Sequence, residues 1–242
     1  MTTFVLVHGS WHGGWCWTKV VPRLEAAGCR AVALDLPGHG ADATPVARIS
    51  LASYATRIAE VVEAQPDPVV LVGHSMGGAA ITQAAERCAD RLAALVYLAA
   101  FVPADGVSVV DQAYLDEKSL LNGAVRLDPD RGTAALEDSI IDACFYGDCS
   151  ASDIAFARAR LCEDPLAPLT TPLALGERSV LDVPRVYIEC LRDATLTIER
   201  QRGIQRECAW RRIYSLDTGH SPFFSAPDPL AGQLLASADV AR

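Results

Sequence analysis

Residues Val69 to Cys88 read VVLVGHSMGGAAITQAAERC. Four apolar, mostly β-branched residues give way to Gly73-His74-Ser75-Met76-Gly77 and then to an alanine-rich stretch. The first part has the pattern of a buried strand and the last part that of a helix, so the serine stands where strand turns into helix. On such a sharp turn the hydroxyl is pushed out above the sheet, and small residues are needed at Gly73 and Gly77 because backbone segments crowd there. The following helix points its amino end, with unpaired N–H groups and a partial positive charge, at the reacting oxygen. A plain connector has no use for a serine at this point, whereas a nucleophile belongs there. The pentapeptide alone is a weak signal; its place between a strand and an Ala/Gly-rich helix makes it a strong one.

Outward from this stretch, strand-like runs at residues 4–7, 30–36, 69–72, 95–99, 185–190 and 211–216 alternate with helical patterns at 19–27, 51–64, after Ser75, at 198–206 and at 229–238. Near-continuous apolar strands separated by helices predict an α/β fold with a parallel sheet covered on both faces. The alternation stops between residues 101 and 178, where short helical patterns, Pro165, Pro168, Pro172 and several aromatics stand. This segment is expected to be a mainly helical lid over the carboxyl ends of the strands, where such sheets bind ligands. The chain then reads as one domain over 1–242, with a core at 1–100 and 179–242 and the lid at 101–178.

The chain has 242 residues, half of them in the hydrophobic class, enough for a well-buried core. A net charge of −9 argues against a nucleic-acid footprint and against a polybasic membrane patch. No apolar run reaches the roughly 18 residues of a membrane span, and the N-terminus has no leader pattern, so a cytoplasmic protein is expected. Eight cysteines lack metal-ligand spacing, and most are expected to be buried free thiols. Cys144, Cys149 and Cys162 cluster in the lid, where a disulfide is the lesser alternative.

A serine hydroxyl needs a base. Of His8, His12, His39, His74 and His220, the first three lie before the serine, and His74 is expected to point away from the hydroxyl. In sheets of this kind the acid and then the histidine follow the serine, which selects His220 in SLDTGHSPFFSAPD. Asp193 follows the strand of RVYIECLRDATL and is the candidate acid. Asp182 lies at the wrong end of that strand, Glu189 within it, and Asp217 too near His220 to reach back. The backbone N–H of Met76 and that of Ser10, in the loop LVHGSWHGGWCW, are the candidate oxyanion donors. Trp11, Phe145, Tyr146 and Phe223 are candidates for an apolar pocket wall.

The stretches LVHGSWHGGWCW, ALDLPGHG, LVGHSMGG, VYIECLRD and TGHSPFFSAP together give the chain a family resemblance along nearly its whole length. It resembles the α/β-hydrolase superfamily, and within it the small esterase branch of plant methyl esterases, plant hydroxynitrile lyases and bacterial pyrethroid-type esterases. The resemblance implies the α/β-hydrolase fold, hydrolysis of a small carboxylic ester through an acyl-enzyme, and no metal or organic cofactor. Related lyases carry threonine at the position of Gly9 and lysine at that of Ser221, so both residues favour an esterase over a lyase. The lid matches poorly and leaves the substrate open. A thioesterase, lactonase or cyclase would use the same residues, and a receptor-like binding protein is the alternative from another class. Assembly as a homodimer is compatible with the sequence.

Overall fold

The computed structural model describes residues 1–176 and 182–240, so the expected junction between lid and core at 178 and 179 lies outside the described residues. A six-stranded sheet is built from β1 (Thr3–Val7), β2 (Arg30–Leu34), β3 (Val69–His74), β4 (Leu92–Leu98), β8 (Arg185–Cys190) and β9 (Arg212–Leu216), in the order β2-β1-β3-β4-β8-β9. Every pairing in it is parallel. The middle strands are apolar at consecutive positions because each face is covered. Val5, Val7, Leu71, Leu95 and Tyr187 point to one face, and Phe4, Leu6, Val70, Val72 and Ile188 to the other.

Helices α2 (Leu51–Glu63), α3 (Gly77–Cys88) and α8 (Ile198–Glu207) pack Tyr54, Ile58, Ile81 and Ile204 on the first face. Helices α1 (Val21–Ala26) and α9 (Pro227–Asp239) place Leu24, Leu230 and Leu234 on the second. The helix expected over 19–27 begins later, because residues Gly14–Lys19 form a 3-10 turn and Pro22 sits in the first turn of α1. No helix of the described residues is long and apolar enough to cross a membrane.

Between β4 and β8 lies the cap. It carries α4 (Val109–Ala113), α5 (Ile141–Phe145), α6 (Ala151–Arg158) and α7 (Leu166–Thr170). It also contains an element the sequence reading did not anticipate, a three-stranded antiparallel sheet of β5 (Val125–Asp128), β6 (Thr133–Leu136) and β7 (Asp164–Pro165). These strands are two to four residues long and β5 is largely exposed, so no apolar run announces them.

The cap rests on the loops after β1 and β9, at the carboxyl ends of the strands. Trp11 Nε1 donates to the Ala134 carbonyl at 3.0 Å, and the Gly219 amide donates to Asp148 Oδ2 at 2.7 Å. All eight cysteines are free thiols. Cys144 packs on Thr195 and Cys162 faces His39, so the cap cysteines do not pair with each other.

Candidate active site

Ser75 follows the last residue of β3 and adopts φ +54°, a left-handed conformation that costs a serine energy and persists only where its surroundings impose it. The imposition is visible. The Ser75 amide donates to Leu98 at 3.2 Å, and its carbonyl accepts from Gly78 at 3.0 Å and Phe101 at 3.1 Å. The two glycines of the pentapeptide serve close approach, as expected. A Cβ on Gly73 would lie 2.5 Å from the Gly77 carbonyl oxygen, and one on Gly77 would lie 2.6 Å from that of His8.

The parallel order places β8 beside β4 and β9 beside β8, which brings the loops carrying Asp193 and His220 together. His220 Nδ1 lies 2.7 Å from Asp193 Oδ2, with both side chains almost wholly buried. The other carboxylate oxygen of Asp193 accepts from the amides of Thr195 at 2.7 Å and Leu196 at 2.9 Å, at the turn before α8. The carboxylate is thereby fixed in rotation, and Nδ1–H of His220 is its natural donor. The rejected acids are engaged elsewhere. Glu189 bonds Arg202, Gln205 and Ser215, while exposed Asp217 pairs with Arg192 at 2.9 Å.

A contact that sequence reasoning missed ties the histidine loop to the serine. His74 Nε2 donates to the carbonyl of His220 at 2.9 Å, and the two rings lie 4.5 Å apart. Burial, with the neighbouring His220 second, holds His74 well below the usual histidine range and therefore neutral. The residue next to Ser75 thus holds the backbone of His220. Asp148 of the cap grips the adjacent Gly219 amide. Nothing in the sequence pattern marks either contact, because both join segments far apart in the chain.

Ser10 and Met76 are buried, and among the described residues neither backbone N–H has an acceptor. Met76 caps the amino end of α3, where unpaired amides and the helix dipole favour negative charge. Two free amides flanking a strained serine can stabilise an oxyanion.

The four aromatics expected to line a pocket separate into two pairs. Phe145 stands over the site, its ring 5.7 Å from those of His220 and Trp11. Trp11 also borders a cavity of about 260 Å³ under β6 of the cap. Tyr146 and Phe223 are as buried as Phe145 and differ from it in their partners. Tyr146 bonds His12 at 2.7 Å, and Phe223 packs between Trp17 and His74, so their rings serve packing. A smaller cavity of about 180 Å³ reaches His220 between Cys144, Asp148 and Arg192.

The chain is 32% identical over 249 residues to putative methylesterase 11, chloroplastic, of Arabidopsis thaliana, covering 98% of this chain and 64% of that protein. It therefore spans just under two thirds of that relative. It is 30% identical over 260 residues to a pyrethroid hydrolase of Sphingobium wenxiniae, covering 99% of this chain and 89% of that one. The crystal structure of a pyrethroid hydrolase from Sphingobium faniae superposes with a TM-score of 0.87 at 29% identity, over 98% of this chain and 97% of the other. The model of the alpha/beta hydrolase family matches residues 4–233, and this chain belongs to that family.

Proposed function

We propose that the protein hydrolyses small carboxylic esters through an acyl-enzyme on Ser75. The observation that carries the reading is the buried Asp193–His220 pair, joined through His74 to a serine held at positive φ. In this reading His220 Nε2 takes the proton of Ser75 Oγ as it attacks the ester carbonyl. The amides of Ser10 and Met76 receive the oxyanion, and His220 returns the proton to the departing alcohol. Water then attacks the acyl group by the same route, releasing the acid. Asp193 keeps the proton of His220 on Nδ1 and stabilises the imidazolium between the two transfers. The names of the methylesterase and pyrethroid hydrolase relatives support an ester substrate. The rings of Phe145 and Trp11 beside the site support one that is largely apolar or aromatic. Eight free thiols suit a reducing compartment, and we place the protein in the cytoplasm.

Cyanohydrin cleavage is disfavoured by the packing of Gly9. A Cβ there would lie 2.7 Å from that of Ser75, so the threonine found in related lyases has no room. Ser221, where those lyases carry lysine, is fully buried and offers no cation to a leaving cyanide.

The test is turnover of a series of methyl and p-nitrophenyl esters, with mandelonitrile alongside, by parent and Ser75→Ala. Ester hydrolysis that falls by more than about 10³-fold in the variant supports the reading. Mandelonitrile cleavage without ester hydrolysis, or tight binding of esters without turnover, contradicts it.

A further inference from the structure

We propose that the cap positions the oxyanion loop through two buried histidines, with His39, held by Asp164, as a positioning residue for the Ser10 amide. The inference rests on the proposed ester hydrolysis and adds to it a device that no part of the triad supplies.

The loop after β1 must hold the Ser10 N–H at a fixed point, yet it contains Trp11 at φ +61°. A bulky residue in that region relaxes unless its neighbours prevent it. Three successive carbonyls of this loop are each taken by a donor that is part of the cap or anchored in it. The Ser10 carbonyl accepts from His12 Nδ1 at 2.8 Å, and His12 Nε2 in turn accepts from the hydroxyl of Tyr146 at 2.7 Å. The Trp11 carbonyl accepts from the amide of Cys162 at 3.1 Å. The His12 carbonyl accepts from His39 Nδ1 at 2.8 Å, and His39 Nε2 lies 3.0 Å from Asp164 Oδ1. Tyr146, Cys162 and Asp164 all belong to the cap.

The ring protons follow from the partners. A carbonyl only accepts, so Nδ1 carries hydrogen in both histidines. Burial first holds His12 down to about 4, which keeps it neutral and leaves Nε2 free to accept from Tyr146. His39 is the opposite case. Burial alone would lower it, but the contacts with Asp164 and Cys162 outweigh this and raise it to about 10, so it carries charge. The Tyr54 hydroxyl stands 2.9 Å from the same Nε2, and the His8 ring lies 4.8 Å away. Asp164 is 1% exposed and its carboxylate has no hydrogen-bond partner among the described residues, so its 3.0 Å contact with His39 is a charge contact, while the hydrogen bond of Nε2 is with Tyr54.

A buried ion pair is a poor way to gain stability, since well-packed apolar residues do as well or better. It is a good way to fix one direction, and here the direction is that of the His12 carbonyl. Loss of the device acts on the tetrahedral state, where the oxyanion exists, and spares substrate binding.

The experiment compares two double variants, each measured for kcat, KM, thermal unfolding and the Ki of a trifluoromethyl ketone that forms a tetrahedral adduct with a serine. In His39→Leu/Asp164→Leu the donor to the His12 carbonyl is gone and no charge is left stranded. We expect kcat to fall about tenfold or more, the ketone Ki to rise by the same factor, and KM to stay within about twofold. In His39→Asn/Asp164→Leu the amide nitrogen replaces Nδ1, and most of the lost kcat should return. Near-isosteric Asp164→Asn gives the same readouts should the double variants fail to fold. The inference is overturned if the variants keep kcat and Ki within about twofold of the parent, or if the asparagine does not restore what leucine loses. A parent that forms no adduct, or a Ser75→Ala variant that binds the ketone as well as the parent, sinks the underlying hydrolase reading instead.

Discussion

Replacing Gly9 by alanine adds one methyl group at the most crowded point of the site. The new Cβ would stand 2.7 Å from the Cβ of Ser75 and 3.1 Å from both His74 Nδ1 and the His74 carbonyl oxygen. Ordinary contact begins near 3.4 Å, so the loop and the serine must separate by about 0.7 Å. None of these neighbours is the free end of a flexible chain. Ser75 is held by three backbone hydrogen bonds and His74 by the carbonyl of His220. Overpacking of this kind costs about 1–3 kcal/mol, which in a chain of this size lowers Tm by roughly 2–4 °C for each kcal/mol. The kinetic effect is larger, because the displaced pair is the proposed nucleophile and the proposed Ser10 donor, and a shift near 1 Å costs on the order of 10²-fold. The assay is kcat on a p-nitrophenyl ester beside a thermal melt. A Gly9→Ala protein with kcat within about twofold of the parent and an unchanged melt would refute the reasoning, and with it the structural argument against a lyase.

Asp193→Asn should lower kcat by about 10⁴, since an amide no longer fixes the tautomer of His220, while exposed Asp217→Asn should leave it unchanged; the reverse result would exchange their roles. Stability followed by denaturant titration should be greatest near neutrality. His39 is raised to about 10, so its contribution is full below the unfolded value of about 6.5 and is lost as pH climbs toward 10. His12 is lowered to about 4, so the folded state resists its protonation and stability falls as pH drops from about 6.5 toward 4. Asp164→Asn should flatten the alkaline limb, and an unchanged limb would contradict the charge assigned to His39. Phe145→Ala should alter kcat/KM across an ester series by roughly 1–3 kcal/mol for each large apolar group it contacts, and an unaltered profile would place the acyl or alcohol pocket elsewhere.

The central fold was legible because its strands announce themselves. Val69–Val72 is apolar at successive positions and runs into a glycine turn, and the core strands follow the pattern with boundaries shifted by up to three residues. The pairing of Asp193 with His220 was legible for a different reason, since chain order and strand ends leave few candidates. The cap hairpin at Val125–Leu136 was not legible as strand, although Asp128-Pro129-Asp130-Arg131-Gly132 carries a turn signal. Its strands are only four residues long and β5 is largely exposed, so alternation does not stand out. Tyr146 and Phe223 illustrate the remaining gap. Their places in the lid and in the histidine loop suggested a pocket wall, but a hydrogen bond to His12 turns one ring inward and packing on Trp17 buries the other. The contacts of His74 and Asp148 with the histidine loop span 146 and 71 residues, and no local pattern encodes such pairings.

The central claim is a covalent acyl group on Ser75. The most direct measurement is mass spectrometry of parent protein quenched with acid within its first turnovers of p-nitrophenyl acetate, followed by peptide mapping. An added acetyl group is expected on the peptide containing Gly73-His74-Ser75-Met76-Gly77, and none in Ser75→Ala. That adduct should accumulate in Asp193→Asn if water attack slows more than acylation. An acetyl group on any other residue, or steady hydrolysis by Ser75→Ala at the parent rate, would contradict the claim.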